Sequence, residues 1–344
     1  MSDLLMQLNE QKRKVDFDSY DITVKELISM VSGGLLNVAP EYQRQFRWDQ
    51  ERQSTFIESV FLGIPVPSLF TAANPDGSWE LIDGVQRLNT LVHFAADEGV
   101  RKQIRLGAPL VLGGLRKLSD YNGLTFEKLP QPAQTQFLLK PLKVTTISDK
   151  SDLNVRFDLF ERLNTGGVLL TPQEIRACIY RGEFNDFLRE MAHSPHFREV
   201  VRLPRNKESD GTREEFVLRF FAYRDGYKTF EHLVTEFLNQ YMEKASKSFQ
   251  YEKNRELFVE VFKALASALP KGLIRRKRET PVNLFEGVSV GAAIAHKAKG
   301  KIVTTGIKSW LNSDELKNLT SGGTNTRQMV TKRIEYCRDK FLGA

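Results

Sequence analysis

Cysteine is scarce in this chain, which contains only two among 344 residues. Cys178 and Cys337 lie far apart and lack the spacing of metal-ligand pairs, which excludes a cysteine-based zinc site and favours a reducing compartment. No apolar run reaches the roughly 18 residues that a membrane-spanning helix needs. The first residues also lack the basic-then-apolar order of a signal peptide. We therefore expect a soluble, cytoplasmic protein with no membrane partner.

Several enzyme signatures are missing as well. The sequence has no GxSxG nucleophile motif, no GxGxxG dinucleotide motif and no GxxxxGK[ST] phosphate loop. Its five histidines show no HExxH pattern and no metal-like spacing with acids. Neither hydrolysis by a serine or cysteine nucleophile nor the use of a dinucleotide cofactor has support in the sequence.

The composition is that of a globular protein with a modest basic excess. Hydrophobic residues make up 41% and charged residues 27% of the chain, enough apolar material for a large core and too much for a disordered protein. The formal net charge is +7 at pH 7. This excess permits a polyanionic partner such as nucleic acid without establishing one.

Local patterns divide the chain into a mixed front half and a helical back half. We expect a polar lead-in over residues 1–20 and then a mixed α/β domain over 21–150. Helices are predicted to begin at Thr23 and after Asp49, and a hairpin is predicted around Asn74–Gly77. From residue 151 to 344 the apolar period indicates helices. The predicted fold class is therefore α+β with an α-helical second domain.

The first chemically suggestive cluster is the segment 40–48. Its planar polar groups, Gln43, Arg44 and Arg47, alternate with aromatic residues that include Tyr42. Arginine binds phosphate oxygens in a bidentate manner, and aromatic rings stack on bases. The same pattern also suits an exposed edge strand with solvated arginines.

The second cluster is a predicted strand that runs through Asp83 and Gly84 directly into a helix. Such an elbow exposes backbone N–H groups at a helix N-terminus, where an anion is favoured. Arg87 falls in the first helical turn, where a cation is unfavourable unless an anion is also present. Asp83 is suited to a divalent cation. The alternative is that Asp83 caps the helix and pairs with Arg87.

Two further clusters complete the candidates. Asn164 follows a predicted helix at a turn, where its amide can reach a neighbouring cleft. The segment 271–278 carries five cations in eight residues and suits either a nucleic-acid backbone or a solvated loop. The candidate DNA contacts in this segment are Arg275, Arg276, Lys277 and Arg278.

Four motifs in this order resemble the N-terminal domain of GmrSD-type modification-dependent restriction proteins, of the ParB/sulfiredoxin-like superfamily. The resemblance runs from about Ile22 to Arg181. The motifs are Tyr42-Gln43-Arg44-x-Phe46-x-Trp48, Glu58-Ser59-x-x-x-Gly63-x-Pro65-x-Pro67, Asp83-Gly84-x-Gln86-Arg87-x-x-Thr90 and Phe160-x-Arg162-x-Asn164-Thr165-Gly166.

The resemblance implies a ParB/sulfiredoxin-like core that binds a nucleoside triphosphate with Mg²⁺ and often hydrolyses it. Its implied nucleotide-binding residues are Gln43, Arg44, Gly84, Gln86, Arg87 and Asn164. Asp83, Gln86 and Arg87 would be catalytic, and Asp83 and Asn164 would hold the metal. Tyr42, Gln43 and Arg47 would face DNA, modified or not.

Two departures from the family bear on activity. Val85 replaces the first glutamine of the family's Asp-Gly-Gln-Gln-Arg motif, so hydrolysis could be slow or lost while nucleotide binding survives. The back half also lacks a His-Asn-His nuclease pattern. We therefore expect a nucleotide-dependent component of a DNA-targeting restriction or antiphage system, working with a separately encoded nuclease or effector.

Three other interpretations stay open at this stage. The first is a DNA-binding module without nucleotide chemistry. The second is a stand-alone Mg²⁺-dependent nuclease that uses Asp83 and Glu58, and the third is a regulatory subunit that restrains an effector. A homo-oligomer is compatible with the sequence.

Overall fold

The computed structural model describes most of the chain, and its contacts divide that chain into two units, residues 1–169 and 170–344. Each unit is described by itself below. The described residues are 4–6, 9, 16–37, 48–74, 76–148, 151, 153–163, 170–208, 210–275, 278–322 and 325–343.

A mixed five-stranded sheet organises the described part of the first unit, in the order β1-β5-β3-β4-β2. The pairs β1–β5 and β3–β4 are antiparallel, whereas β3–β5 and β2–β4 are parallel. The hairpin predicted around Asn74–Gly77 is thereby confirmed as β3 and β4. The strands are β1 Phe17–Thr23, β2 Leu36–Asn37, β3 Leu69–Ala73, β4 Trp79–Asp83 and β5 Pro141–Ile147.

Short side chains start the first two helices where the sequence predicts them. Thr23 Oγ1 accepts a hydrogen bond from the N–H of Glu26 (3.2 Å), and Asp49 Oδ1 accepts one from the N–H of Arg52 (2.8 Å). Gly63 ends the second helix in a left-handed conformation. The helices of this unit are α1 Val24–Ser32, α2 Gln50–Leu62, α3 Val85–Ala95, α4 Glu98–Gln103, α5 Gln131–Leu138 and α6 Leu153–Leu163.

Strand β1 was not predicted, and residues 17–20 of the expected lead-in belong to it. The strand lies at the edge of the sheet, and Phe17 to Asp21 are exposed. Because its side chains face solvent on both sides, the sequence lacks the alternation that marks a half-buried strand. Its backbone pairing with β5 is visible only in three dimensions.

Helix α3 packs into an aromatic and aliphatic core. Leu88, Leu91 and Phe94 are almost fully buried along it. The ring of Phe94 lies 5.3 Å from that of Phe137, between ring centroids, and Phe137 lies 4.7 Å from Phe61. The helix that begins at the predicted elbow is therefore fixed along its length by packing.

The regular elements among the described residues of the second unit are all helices, which confirms the predicted α+β class with an α-helical back half. No described helix combines the length and the apolar composition required to cross a bilayer. The helices are α7 Pro172–Ile179, α8 Glu183–Ala192, α9 Pro195–Val200, α10 Thr212–Gly226, α11 Val234–Lys247, α12 Tyr251–Ala268, α13 Val282–Phe285, α14 Gly291–Lys299, α15 Ile307–Trp310, α16 Asp314–Thr320 and α17 Arg327–Leu342.

Regular α-helix is interrupted between Val282 and Lys299. The segment Glu286–Val290 between α13 and α14 forms a π-helix. Gly287 and Gly291 face α17 so closely that a Cβ at position 291 would lie 2.7 Å from the backbone nitrogen of Arg338. The wider turn and the two glycines let α14 and α17 approach at backbone distance, a tertiary requirement that helical periodicity does not reveal.

Candidate functional site

The elbow predicted from the sequence is present and depends on glycine. Strand β4 ends at Asp83, Gly84 adopts φ 102°, and α3 begins at Val85. Residues other than glycine rarely adopt this conformation. A Cβ at position 84 would also overlap the Cδ2 methyl group of Leu69. Both conditions restrict this position to glycine.

The N-terminus of α3 has the electrostatic character of an anion site. No side chain caps this helix, and its first turn contains no acidic residue. The carbonyl of Gly84 accepts the first regular helical hydrogen bond, from the N–H of Leu88 (2.9 Å). The preceding N–H groups and the positive end of the helix dipole therefore favour a negative charge at this turn.

Arg87 is held in place by two partners within the first unit. Its Nη2 donates to Asp83 Oδ2 (2.6 Å), and its Nη1 donates to the carbonyl of Pro67 (2.5 Å). The Arg87 side chain is 12% exposed, and that of Asp83 is 33% exposed. The pairing considered as an alternative is thus confirmed, but Gly84, not Asp83, occupies the N-cap position.

Gln86 connects the elbow to the chain that precedes α2. Its Oε1 accepts a hydrogen bond from the N–H of Trp48 (3.1 Å), and the carbonyl of Trp48 accepts one from Gln53 Nε2 (2.8 Å). Gln53 Oε1 in turn lies 2.8 Å from His93 Nδ1, on the same helix as Gln86. The sequence did not predict this relay, because its partners lie up to 40 residues apart and the relay matches no recognisable motif.

His93 is the titratable group of this relay. Its Nε2 lies 2.8 Å from the carbonyl oxygen of Ala108. Burial lowers the pKa of His93 below that of a free histidine, the hydrogen bond to Ala108 opposes this shift, and the charge of Arg101 adds to it. The neutral imidazole is therefore favoured at this position of α3.

Glu58, considered as a metal ligand for a nuclease, has another partner. Its Oε1 accepts hydrogen bonds from the N–H groups of Lys117 and Leu118, each at 2.8 Å. The described residues contain no cluster of three or more His, Cys, Asp or Glu side chains that could hold a metal ion. At the elbow, Asp83 is the acidic residue that the sequence proposed for Mg²⁺, and Arg87 engages one of its two oxygens.

The remaining predicted site residues fall into two groups. Arg275 and Arg278 belong to the second unit, where Arg275 Nη1 donates to Ser321 Oγ (3.4 Å) and burial lowers the pKa of Arg275. The predicted site residues that lie outside the described residues are Tyr42, Gln43, Arg44, Arg47, Asn164, Arg276 and Lys277.

One protein-family model matches the part of the chain that contains the elbow. The family described as "GmrSD restriction endonuclease, N-terminal domain" matches residues 24–181. Residues 24–181 are thus similar to a GmrSD N-terminal domain. The matched stretch begins with the first residue of α1, ends just after α7 and contains Asp83, Gly84, Gln86 and Arg87. The basic segment 271–278 lies beyond the GmrSD match.

Other comparisons add little to the family match. A solved structure of a Pnob8-like ParB-N domain is 11% identical to this chain, covering 95% of this chain and 96% of that one, with a TM-score of 0.22. At this score no property of that domain is transferred here. The comparison with curated proteins gives no match.

Proposed function

We propose that the GmrSD-like stretch of this chain binds a nucleoside triphosphate at the start of α3. In this proposal the chain is the nucleotide-dependent component of a DNA-targeting restriction or antiphage system. The family description names a restriction endonuclease, and it supports the proposed place in a restriction system. The geometry around Gly84 and Arg87 supports the nucleotide part.

The observation that carries the proposal is the uncapped start of α3 with a fixed arginine in its first turn. A triphosphate needs N–H donors, at least one cation and usually Mg²⁺. The elbow provides the N–H groups, and Arg87 provides the cation. Asp83 and Pro67 orient the guanidinium in advance, so that binding loses less side-chain freedom.

Arg87 retains hydrogen-bonding capacity for a phosphate. A guanidinium has five N–H donors, and its two described contacts use one each on Nη1 and Nη2. Asp83 partly neutralises the charge, so a phosphate would compete with this carboxylate. Mg²⁺ held by Asp83 would reduce that competition by neutralising the carboxylate.

Hydrolysis is proposed to be slow. Val85 has no group that can orient a water molecule. The Gln86 side-chain oxygen accepts a hydrogen bond from the Trp48 backbone. Gln86 would have to leave that partner before this oxygen could orient the water molecule that attacks a phosphate. When bound, Mg²⁺ would supply charge neutralisation, with Asp83 and Asn164 as its proposed ligands. The proposed contacts of Gln43, Arg44 and Asn164 with the same nucleotide rest on the motif alone.

The test is a nucleotide panel measured by calorimetry with Mg²⁺ on the full chain. Arg87→Ala is expected to weaken triphosphate binding by about 10- to 150-fold, the equivalent of about 1.5–3 kcal/mol for one charged hydrogen bond. Lys102→Ala is the matched control, since it also removes a cation and an ion pair, with Glu98, from this unit. Unchanged affinity of Arg87→Ala for every nucleotide refutes the proposal.

DNA is proposed as the macromolecular partner, with cleavage by a separate nuclease or effector. The lysine and arginine excess of the chain lies in the second unit, whereas the first unit has slightly more acidic than basic residues. This asymmetry also favours a second candidate function, DNA binding without nucleotide. That candidate predicts a DNA affinity that falls steeply with salt and does not depend on nucleotide or Mg²⁺.

A further inference from the structure

A cavity of about 810 Å³ lies within the second unit, and none of the described residues proposed above for function lines it. The C-terminal ends of α10 and α11, the first turns of α12, and α14 surround it. Its lining is strongly basic and contains a single carboxylate, that of Asp225. The cationic residues of the lining are Arg224, Lys228, Lys244, Lys253 and Lys297, with His296 beside them.

The carboxylate of Asp225 is already engaged. Its two oxygens accept hydrogen bonds from Arg224 Nε (2.6 Å) and Nη2 (2.8 Å), and Oδ2 also accepts one from the Tyr241 hydroxyl (2.7 Å). Burial, together with the negative charge of Asp225, raises the pKa of Tyr241, so this hydroxyl stays neutral. Asp225 therefore balances Arg224 and leaves the lysines uncompensated.

Three of these lysines come from three different helices, α11, α12 and α14. The side chains of Lys244, Lys253 and Lys297 are exposed, and none makes an ion pair with a residue that the structure describes. Like charges around one cavity repel each other, and solvent only partly screens them. An anion bound between them would remove this repulsion.

Helix polarity distinguishes these three positions. Lys244 and Lys297 occupy the last turn of their helices, where the dipole itself favours a cation. Lys253 occupies the first turn of α12, where the dipole disfavours one, and no side chain caps this helix. The acidic residue of that turn, Glu252, pairs with Arg255, so an anion in the cavity would offset the unfavourable placement of Lys253.

We infer that this cavity binds a ligand that carries several phosphate groups. Lysine acts as a point charge toward phosphate, and the volume suits a ligand larger than a single phosphate ion. The ring of Phe249, which lines the cavity, packs against Phe184, Phe187 and Phe221, so the proposal rests on the cationic side chains and not on this ring. Such phosphates can belong to a free polyphosphate or nucleotide, or to a nucleic-acid strand.

The inference does not depend on the nucleotide site at α3, because the two sites share no residue. Binding is measured in EDTA, which removes the Mg²⁺ contribution expected at Asp83. Arg87→Ala serves as the crossed variant. If Arg87→Ala alone loses ligand, the site at α3 stands and the cavity inference fails. If only the cavity variant loses ligand, the cavity inference stands, and the site at α3 is decided by the calorimetry with Mg²⁺.

The experiment compares two triple variants of the full chain. The cavity variant combines Lys244→Gln, Lys253→Gln and Lys297→Gln. The matched control combines Lys247→Gln, Lys263→Gln and Lys299→Gln, which remove the same charge from the same three helices at positions that do not line the cavity. The probes are inorganic tripolyphosphate, ATP and a labelled 12-nucleotide single-stranded DNA, each titrated over a salt series.

The cavity variant is expected to lose at least about tenfold in affinity for one or more probes, and the control to lose about twofold or less. Loss for tripolyphosphate and ATP identifies a free polyphosphate. Loss for DNA alone identifies a strand, whose salt slope should fall by about 0.7 for each lysine removed. Equal losses in the two triple variants, or no binding of any probe by the unaltered chain, overturn the inference.

Discussion

The Cδ2 methyl group of Leu69 covers Gly84 on the side where any other residue would carry its Cβ. This contact joins β3 to the elbow between β4 and α3. Because Gly84 also has φ 102°, a larger residue would meet both backbone strain and steric overlap. The conformation at the start of α3 is thus set by packing from a neighbouring strand.

Replacement of Gly84 should separate the cost of backbone strain from the cost of steric overlap with Leu69. Gly84→Ala is expected to lower the free energy of unfolding by about 1–3 kcal/mol. Gly77→Ala is the control, because Gly77 has φ 84° but a Cβ added there would have no atom within 4 Å. Denaturation in a Trp310→Phe background, where fluorescence reports on Trp48 and Trp79 of the first unit, gives both values. Equal destabilisation by the two substitutions would show that Leu69 adds nothing.

The ion pair between Arg87 and Asp83 predicts that one substitution changes the triphosphate affinity in opposite directions without and with Mg²⁺. Without Mg²⁺, Asp83→Asn should strengthen triphosphate binding, because the carboxylate no longer competes for Arg87 or repels the phosphates. With Mg²⁺ it should weaken binding, because a metal ligand is lost. Each change should be about three- to tenfold.

Calorimetry checks both changes in triphosphate affinity, once in EDTA and once in Mg²⁺. It is carried out in the background of the cavity variant. Asp76→Asn is a suitable control, since it removes a carboxylate from the β3–β4 turn of the same unit. A change in the same direction under both conditions would contradict the proposed role of Asp83.

His93 should make the first unit sensitive to acid. Burial lowers its pKa in the folded chain, so near and below pH 6.5 the unfolded chain binds more protons than the folded one. Stability therefore rises with pH through the interval below about 6.5 and is lost as the pH falls through it. Denaturation of the Trp310→Phe chain between pH 5 and pH 8 measures this slope. His93→Gln should flatten it, whereas a replacement of the exposed His193 should not.

The second unit contains a buried ionic network whose disruption should be costly. Glu286 is 1% exposed and pairs with both Arg333 and Arg219 (2.7 Å to Arg219), on different helices. Glu286→Gln leaves both guanidinium groups with less negative charge in a buried site, so we expect a loss of about 3–5 kcal/mol.

Chemical denaturation followed at Trp310, in a chain with Trp48 and Trp79 replaced by Phe, reports on the second unit. Glu243→Gln, which removes the exposed pair with Lys247, should cost about 0.5 kcal/mol or less. Comparable losses in the two variants would show that the network around Glu286 contributes no more than a surface pair.

The α3 elbow shows how far the sequence alone reaches. The predicted strand, glycine and helix are confirmed at Asp83, Gly84 and Val85, because each depends on residues a few positions away. The sequence left two partners open for Arg87, an anion or Asp83. It contained no sign of the carbonyl of Pro67, which is 20 residues distant and fixes the guanidinium from outside the motif.

The sequence by itself determined the local elements: the helix starts at Thr23 and Asp49, the β3–β4 hairpin and the α3 elbow. Capping and turn formation are short-range interactions, so the residues that decide them are neighbours in the chain. Only the tertiary structure decided that β1 pairs at the sheet edge, that Leu69 covers Gly84, and that lysines of three helices surround one cavity. Those relationships depend on which surfaces meet on folding, and many surfaces with the same local pattern could have met instead.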